Sequence, residues 1–216
     1  MGNREALLLG AKRCLLEKGY AGTTARDIAA AAGVSLAAIG YHFSSKEALL
    51  TEALLLAFGE WDQEFRAALN ATLPAGIGPV QRFELIWARL IETFETHRSL
   101  WVANFEIFSQ MDRQPEIRRM LGNNLQLARS GLAALFGDED ESSVSEQTAH
   151  TIGTFHHVLL TGMIAQWLID PDHALSARQL THALLRVTAD LQAAKPTSKP
   201  KQTRKPKLPT KSNKRR

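Results

Sequence analysis

Apolar residues recur along most of this chain at the three-and-four spacing of a helix, and no stretch keeps the strict alternation of a strand. The pattern predicts helices near 4–18, 25–32, 36–42, 45–70, 80–97, 99–111, 115–136, 144–170 and 176–193, an all-α fold of about nine helices. Polar residues mark the helix starts. Thr24–Asp27, Ser44–Glu47, Ser143–Glu146 and Ser176–Gln179 each set a hydroxyl three residues before an acid or amide, which satisfies the first free N–H groups of a helix. Pro79 and Pro115 suit a first turn, where a missing N–H costs nothing. Loops fall at "KGYAGT", "LPAGIGP" and "GDEDES", and no internal repeat is visible.

One part of this pattern needs an explanation. Residues 25–32 and 36–42 are too short to be stable helices alone, so packing must hold them. Ile28, Ala29, Ala32, Val34, Ile39 and Phe43 supply an inward face, and Gly33 suits a left-handed cap that turns the chain sharply. Two such helices form a helix-turn-helix, whose second helix fits a major groove. With Ile39 inward, Ala37, Ala38, Gly40 and Tyr41 face out. Uncharged small residues make a poor solvated face but a good one for close approach to a duplex, where alanine methyls meet thymine methyls. Thr23, Thr24, Tyr41, His42 and Lys46 are candidates for phosphate contacts. Lys46 opposes the dipole of the helix it starts, a local cost that a phosphate would offset. Taken singly, Lys46 is a surface cation balanced by Glu47, and His42 a satisfied structural histidine.

Charge changes the picture along the chain. The net charge of +4 divides into +2 for residues 1–47, −8 for 48–194 and +10 for 195–216. We therefore expect three parts: a DNA-binding domain over 1–47, a helical domain over 48–194, and a disordered basic tail over 195–216, whose Pro, Lys, Ser and Thr leave almost nothing to bury. Cys14 stands alone and shares a helix face with Leu7, Ala11 and Leu15, as a buried core thiol would. The N-terminal "ALLLGA" is too short for a secretory core. Gln147 to Ile169 carries no Asp, Glu, Lys or Arg, but His150, His156, His157 and Gln166 load it with polarity, and a helix buried between protein surfaces explains it better than a membrane span. A cytoplasmic protein with no membrane partner is the expectation.

The run "GYAGTTARDIAAAAGVSLAAIGYHFSSKEALL", Gly19 to Leu50, resembles the DNA-binding domain of the tetracycline-repressor (TetR) family of bacterial transcriptional regulators. The similarity lies in "T-x-x-D-I-A", "A-G-V-S", "Y-H-F" and "S-K-E-A-L", in order and at the family's spacing. It brings Ser35 and Leu36 into the DNA-contacting set beside Thr23, Thr24, Ala37, Ala38, Gly40, Tyr41, His42 and Lys46. Many members carry a polar pair where this chain has Leu36-Ala37, and a Tyr or Asn where Gly40 stands. Duplex reading should therefore lean on shape and phosphates. Farther on, "VLLTGMIAQWLIDPDH" is similar to a weaker family signature near the C-terminus.

The resemblance implies a ligand-responsive repressor that binds a palindromic operator as a homodimer and is released by a small-molecule effector. Phe83, Trp87, Phe94, Trp101, Phe105, Phe108 and Phe136 make residues 80–136 rich in aromatics, suited either to a plain helical core or to an apolar cavity. By analogy with the family's C-terminal ligand-binding module, Trp87, Phe94, Trp101, Phe105 and Phe108 are the effector-binding candidates. The helices near 144–170 and 176–193 are expected to pair across a two-fold axis as a four-helix bundle. No Gly-rich phosphate loop, nucleophile elbow or HExxH spacing is present, so catalysis, cofactors and metals are not expected, and a structural role fits His150, His156 and His157. A different reading has the ten cations of the tail bind nucleic acid without sequence preference.

Overall fold

The ends of the helices show how local chemistry divides the chain. The structure, a computed structural model, describes residues 2–74 and 76–194. The tail expected to be disordered lies outside the described residues. Nine helices are found among those described: α1 Asn3–Gly22, α2 Ala25–Ala32, α3 Ala37–His42, α4 Lys46–Thr72, α5 Pro79–Thr96, α6 Arg98–Glu106, α7 Pro115–Gly137, α8 Glu146–Ile169 and α9 Ala177–Ala193.

Two of the four expected capping pairs form. Thr24 Oγ1 accepts from the Asp27 amide at 3.1 Å while the Asp27 carboxylate accepts from the Thr24 amide at 2.9 Å. Ser176 and Gln179 make the same reciprocal pair at 3.3 and 2.9 Å. The other two are corrected. Ser45, not Ser44, caps α4 by accepting from Ala48 N–H at 3.0 Å, and Ser145, not Ser143, caps α8 by accepting from Thr148 N–H at 3.1 Å. Ser143 ends a separate 3₁₀ turn, Glu141–Ser143. Pro79 and Pro115 open α5 and α7 as expected. The helix expected over 99–111 stops at Glu106, and a 3₁₀ turn, Ile107–Gln110, follows it.

Residues up to Thr181 form one compact unit, and a second begins at His182 within α9. The first unit has two apolar cores. One gathers Leu7 and Leu15 of α1, Ile28 of α2, Ile39 of α3, Leu49, Leu50 and Leu54 of α4, and Leu100, Ala103 and Ile107 from α6 and the turn after it. The helix-turn-helix is thus seated on the same buried side chains as α4 and α6, each full burial of a Leu or Ile being worth about 1.5–3 kcal/mol. The second core joins Phe65 and Leu69 of α4, Ile86, Trp87, Leu90 and Phe94 of α5, Trp101 of α6, Leu135 of α7, and Met163 and Ile164 of α8. Phe58 and Trp61 pack against both.

Helix α8 contains a π-helical turn, Ala149–Gly153. A Cβ on Gly153 would stand 2.1 Å from the Arg129 carbonyl of α7, so only glycine admits this approach. By length and composition α8 suffices to cross a bilayer, and 28% of its most apolar window is buried within the chain. Ile152, Phe155 and Val158 are exposed on it. In the second unit, described by itself, Leu185, Val187 and Leu191 are exposed.

Candidate nucleic-acid interface

Side-chain direction in α3 follows from its ends. Gly33 closes α2 with φ 67 and ψ 29, its N–H bonded back to α2 carbonyls, and this left-handed turn sends the chain into α3. Ile39 is then 5% exposed and Phe43 is buried beside it, with the Arg4 guanidinium 4.9 Å above the Phe43 ring. On the other side Ser35, Leu36, Ala37 and Gly40 are exposed, and Tyr41 is 85% exposed. His42 is half-buried with its ring edge-on to Tyr41 at 4.8 Å. Ala38 departs from the expected outward face: it is half-buried against the first core. The bare surface of α3 is accordingly Leu36, Ala37, Gly40 and Tyr41.

The candidate phosphate residues divide as well. Thr24 is exposed at the start of α2. Thr23 is 1% exposed, and its hydroxyl donates to the Gly19 carbonyl at 2.7 Å and the Cys14 carbonyl at 3.1 Å, so it braces the turn and has nothing left to offer a phosphate. Lys46 donates to the Thr23 carbonyl at 3.1 Å, with Glu47 at 3.5 Å. Its unfavourable place at the head of α4 is therefore offset in part within the chain, in line with the reading of Lys46 as a surface cation balanced by Glu47. The Lys18 ammonium, then the Thr24 bonds, hold the Asp27 carboxyl well below the usual carboxylate range, so the cap stays ionised.

Sequence reasoning missed Arg26. It is exposed in the first turn of α2 beside Thr24, and no carboxylate pairs with it among the described residues. The signal that singled out Lys46, a cation at the positive end of a helix, applies equally to Arg26. Cys14 is buried, and desolvation raises its thiol pKa, in keeping with an inert core thiol.

Of the five effector candidates, Trp87, Phe94 and Trp101 are buried in the second core and Phe105 packs against it, in distinct groups of rings. Trp87 is fully buried and packs with Phe83 and Phe136, and the His156 ring lies flat on Phe136 at 3.8 Å. Phe94 and Trp101 meet edge-on at 6.1 Å beside Trp167 and Trp61. Phe105 contacts Phe108, which is 41% exposed. Trp61, Trp167 and Phe136, absent from the candidate set, complete these clusters. Burial pushes the His156 imidazole down to about 4, leaving it neutral, and lowers His157 with help from Arg129. The indole N–H groups of Trp61, Trp87 and Trp101 and Nδ1 of His156 are buried without a hydrogen-bond partner. A cleft of about 300 Å³ lies elsewhere, between α1, α4 and the α5–α6 corner, lined by Leu16, Glu60, Trp61, Glu64 and His97 among others. No group of three or more His, Cys, Asp or Glu side chains suited to a metal is found among the described residues.

Comparison with known proteins bears on this geometry. Residues 7–53 match the family model described as bacterial regulatory proteins, tetR family. The HTH-type transcriptional repressor DhaR of Mycobacterium sp. (strain GP1) is 32% identical over 105 residues, 48% of this chain and 50% of that protein. KstR2, an HTH-type transcriptional repressor of Mycobacterium tuberculosis H37Rv, is 29% identical over 124 residues, 57% of this chain and 60% of that protein. The matches thus span about half the length of these curated relatives. A transcriptional regulator of Pseudomonas aeruginosa PAO1 has a similar solved fold, with a TM-score of 0.59 at 21% identity over 88% of this chain and 90% of that one.

Proposed function

We propose that this chain, which belongs to the tetR family of bacterial regulatory proteins, is a cytoplasmic transcriptional repressor that reads a palindromic operator as a homodimer and is released by a small-molecule effector. One observation carries the reading: α3 buries Ile39 and turns the small Ala37 and Gly40 to the outside, flanked by the exposed Leu36 before it and Tyr41 near its end. That face fits a major groove, where it would touch base methyls, while Thr24, Arg26, Ser35, His42 and Lys46 would bear on the flanking phosphates. Thr23 acts beneath them by holding the turn.

Two reading heads must reach half-sites about 34 Å apart, which calls for a dimer. The exposed Ile152, Phe155 and Val158 of α8 support this, and so, separately, do Leu185, Val187 and Leu191 of α9, since each set is apolar surface that a second copy would cover. The aromatic interior over α4–α8 is the proposed effector region. Its unpartnered Trp87 and Trp101 indole N–H groups favour a neutral, largely apolar effector with hydrogen-bond acceptors. An effector that prefers displaced reading heads weakens operator binding by its preference, typically about 1–3 kcal/mol.

The test is selection of duplexes from a random pool by the full chain, where recovery of a palindrome is the expected result. The ten cations of residues 195–216 support a second reading, non-specific nucleic-acid binding. Deleting that segment separates the two: operator binding with a shallower salt dependence upholds the repressor, and loss of all DNA binding upholds the tail.

A further inference from the structure

We propose that Glu106, carried by the sensor helix α6, is a positioning residue for DNA reading that clamps the turn before α2, with Glu116 holding the opposite flank of the helix-turn-helix. Helix α1 breaks at Gly19, where φ 75 and ψ 174 are accessible in practice only to glycine. A break of this kind takes backbone groups out of the helical ladder, and the Tyr20 amide there donates to Glu106 Oε2 at 2.6 Å. A Cβ on Gly19 would lie 3.2 Å from the same oxygen, so the carboxylate rests against bare backbone.

From that point the bonding continues into the reading head. The Gly19 carbonyl accepts the Thr23 hydroxyl at 2.7 Å, the Thr23 carbonyl accepts Lys46 Nζ at 3.1 Å, and Thr24 caps α2. One oxygen of α6 therefore supports the turn that orients α2 and meets the first turn of α4. On the far flank Ser44, in the turn between α3 and α4, donates to Glu116 Oε2 of α7 at 2.8 Å. Both turns that bracket the helix-turn-helix are thus gripped by acids at the two ends of one short segment, 106–116. Ile107 anchors that segment in the first core, and Phe105 stands immediately before it. A movement of about 1 Å along α6 would lengthen the Glu106 bond beyond useful range. An effector lodged near Trp101 or Phe105 thereby has a direct mechanical route to the head.

This inference rests on the repressor reading, and its test keeps the two apart. Full-length variants are compared for binding to the duplex recovered by wild-type selection and to a scrambled duplex, and for amide hydrogen exchange over Tyr20 to Thr24. E106A is expected to bind the selected duplex roughly tenfold more weakly, the size of one charge-assisted hydrogen bond, with scrambled-sequence affinity unchanged and exchange at Tyr20 accelerated. E106D, one methylene short, should resemble E106A, whereas E106Q keeps an accepting oxygen and should restore most of the loss. S44A, on the exposed flank, should cost roughly threefold or less. Wild-type binding and exchange in E106A, or E106Q as impaired as E106A, would overturn the clamp. A random pool that yields no preferred duplex defeats the repressor reading instead, and the exchange measurement still decides whether Glu106 holds the turn.

Discussion

The two cores of this protein treat their buried polar groups differently. In the first, beneath the reading head, the Thr23 hydroxyl has two carbonyl partners and the buried Thr51 hydroxyl donates to the Glu47 carbonyl, while among the described residues the Tyr20 hydroxyl and Nε1 of Trp61, which packs against both cores, are unpartnered. In and around the second, Trp87 Nε1, Trp101 Nε1, Thr154 Oγ1 and His156 Nδ1 are all buried without partners. Each such group forgoes about 1–3 kcal/mol. A reading head works by holding one geometry, so satisfied polar groups suit it. A sensor works by being changed, and unsatisfied groups leave free energy for a ligand to recover.

The contrast is open to attack at several points, from the largest expected effect to the smallest. Ala37→Glu places a carboxylate on the bare face of α3 and should weaken operator binding by at least about a hundredfold while leaving the melting temperature unchanged. Unaltered affinity would mean that another face meets the duplex. Gly153→Ala forces a methyl onto the Arg129 carbonyl, and thermal melting should show a loss of about 3 kcal/mol or more as α7 and α8 are pushed apart. Ile28→Ala, in the satisfied core, should cost about 2–5 kcal/mol, lowering stability and operator affinity together.

His156 gives a pH handle on the second core. Its imidazole is neutral when folded and titrates near 4, whereas in the unfolded chain it titrates near 6.5. The unfolded state thus binds the extra proton between those values, so this contribution is complete above about 6.5 and is lost as pH falls toward 4, by at most about 3 kcal/mol. Denaturation of His156→Phe at pH 7 and pH 5 should show about 2 kcal/mol less pH dependence than wild type, the part of that loss falling between those two values. A dependence equal to that of wild type would refute the buried, neutral assignment. Last in size, Lys46→Ala should weaken binding to all duplexes alike and reduce the salt slope by about 1, since any phosphate contact it makes carries no base information.

Helix position and type were largely legible in the sequence because apolar spacing and end chemistry point the same way at α2, α5, α7 and α9. The Thr24–Asp27 box and the Gly33 turn were legible for the same reason: each depends on neighbours within a few residues. The choice between Ser44 and Ser45 was not. Both are hydroxyl residues suited to a cap, but only Ser44 has an acid three residues on, and the choice falls to Ser45 because packing fixes where α4 begins and leaves Ser44 to Glu116. Thr23 looked like a phosphate ligand by adjacency to Thr24, but its neighbours across the α1 turn claim its hydroxyl. Arg26 carries the same local signal as Lys46, a cation in the first turn of a helix, and only its exposure in the fold distinguishes it. The aromatic residues announced themselves by type, while their partition into separate ring clusters is a matter of helix crossing that no local spacing encodes.

What the amino-acid sequence determined by itself was whatever a few consecutive residues can enforce: helix periods, the capped start of α2, the left-handed turn at Gly33, and an α3 with an apolar side and a bare one. The tertiary structure alone decided which hydroxyls were already spent, which rings met, and that Glu106 of α6 reaches the Tyr20 amide 86 positions away along the chain. Local patterns are fixed by short-range backbone sterics and hydrogen bonding, whereas the partners of a buried polar group depend on how distant helices pack.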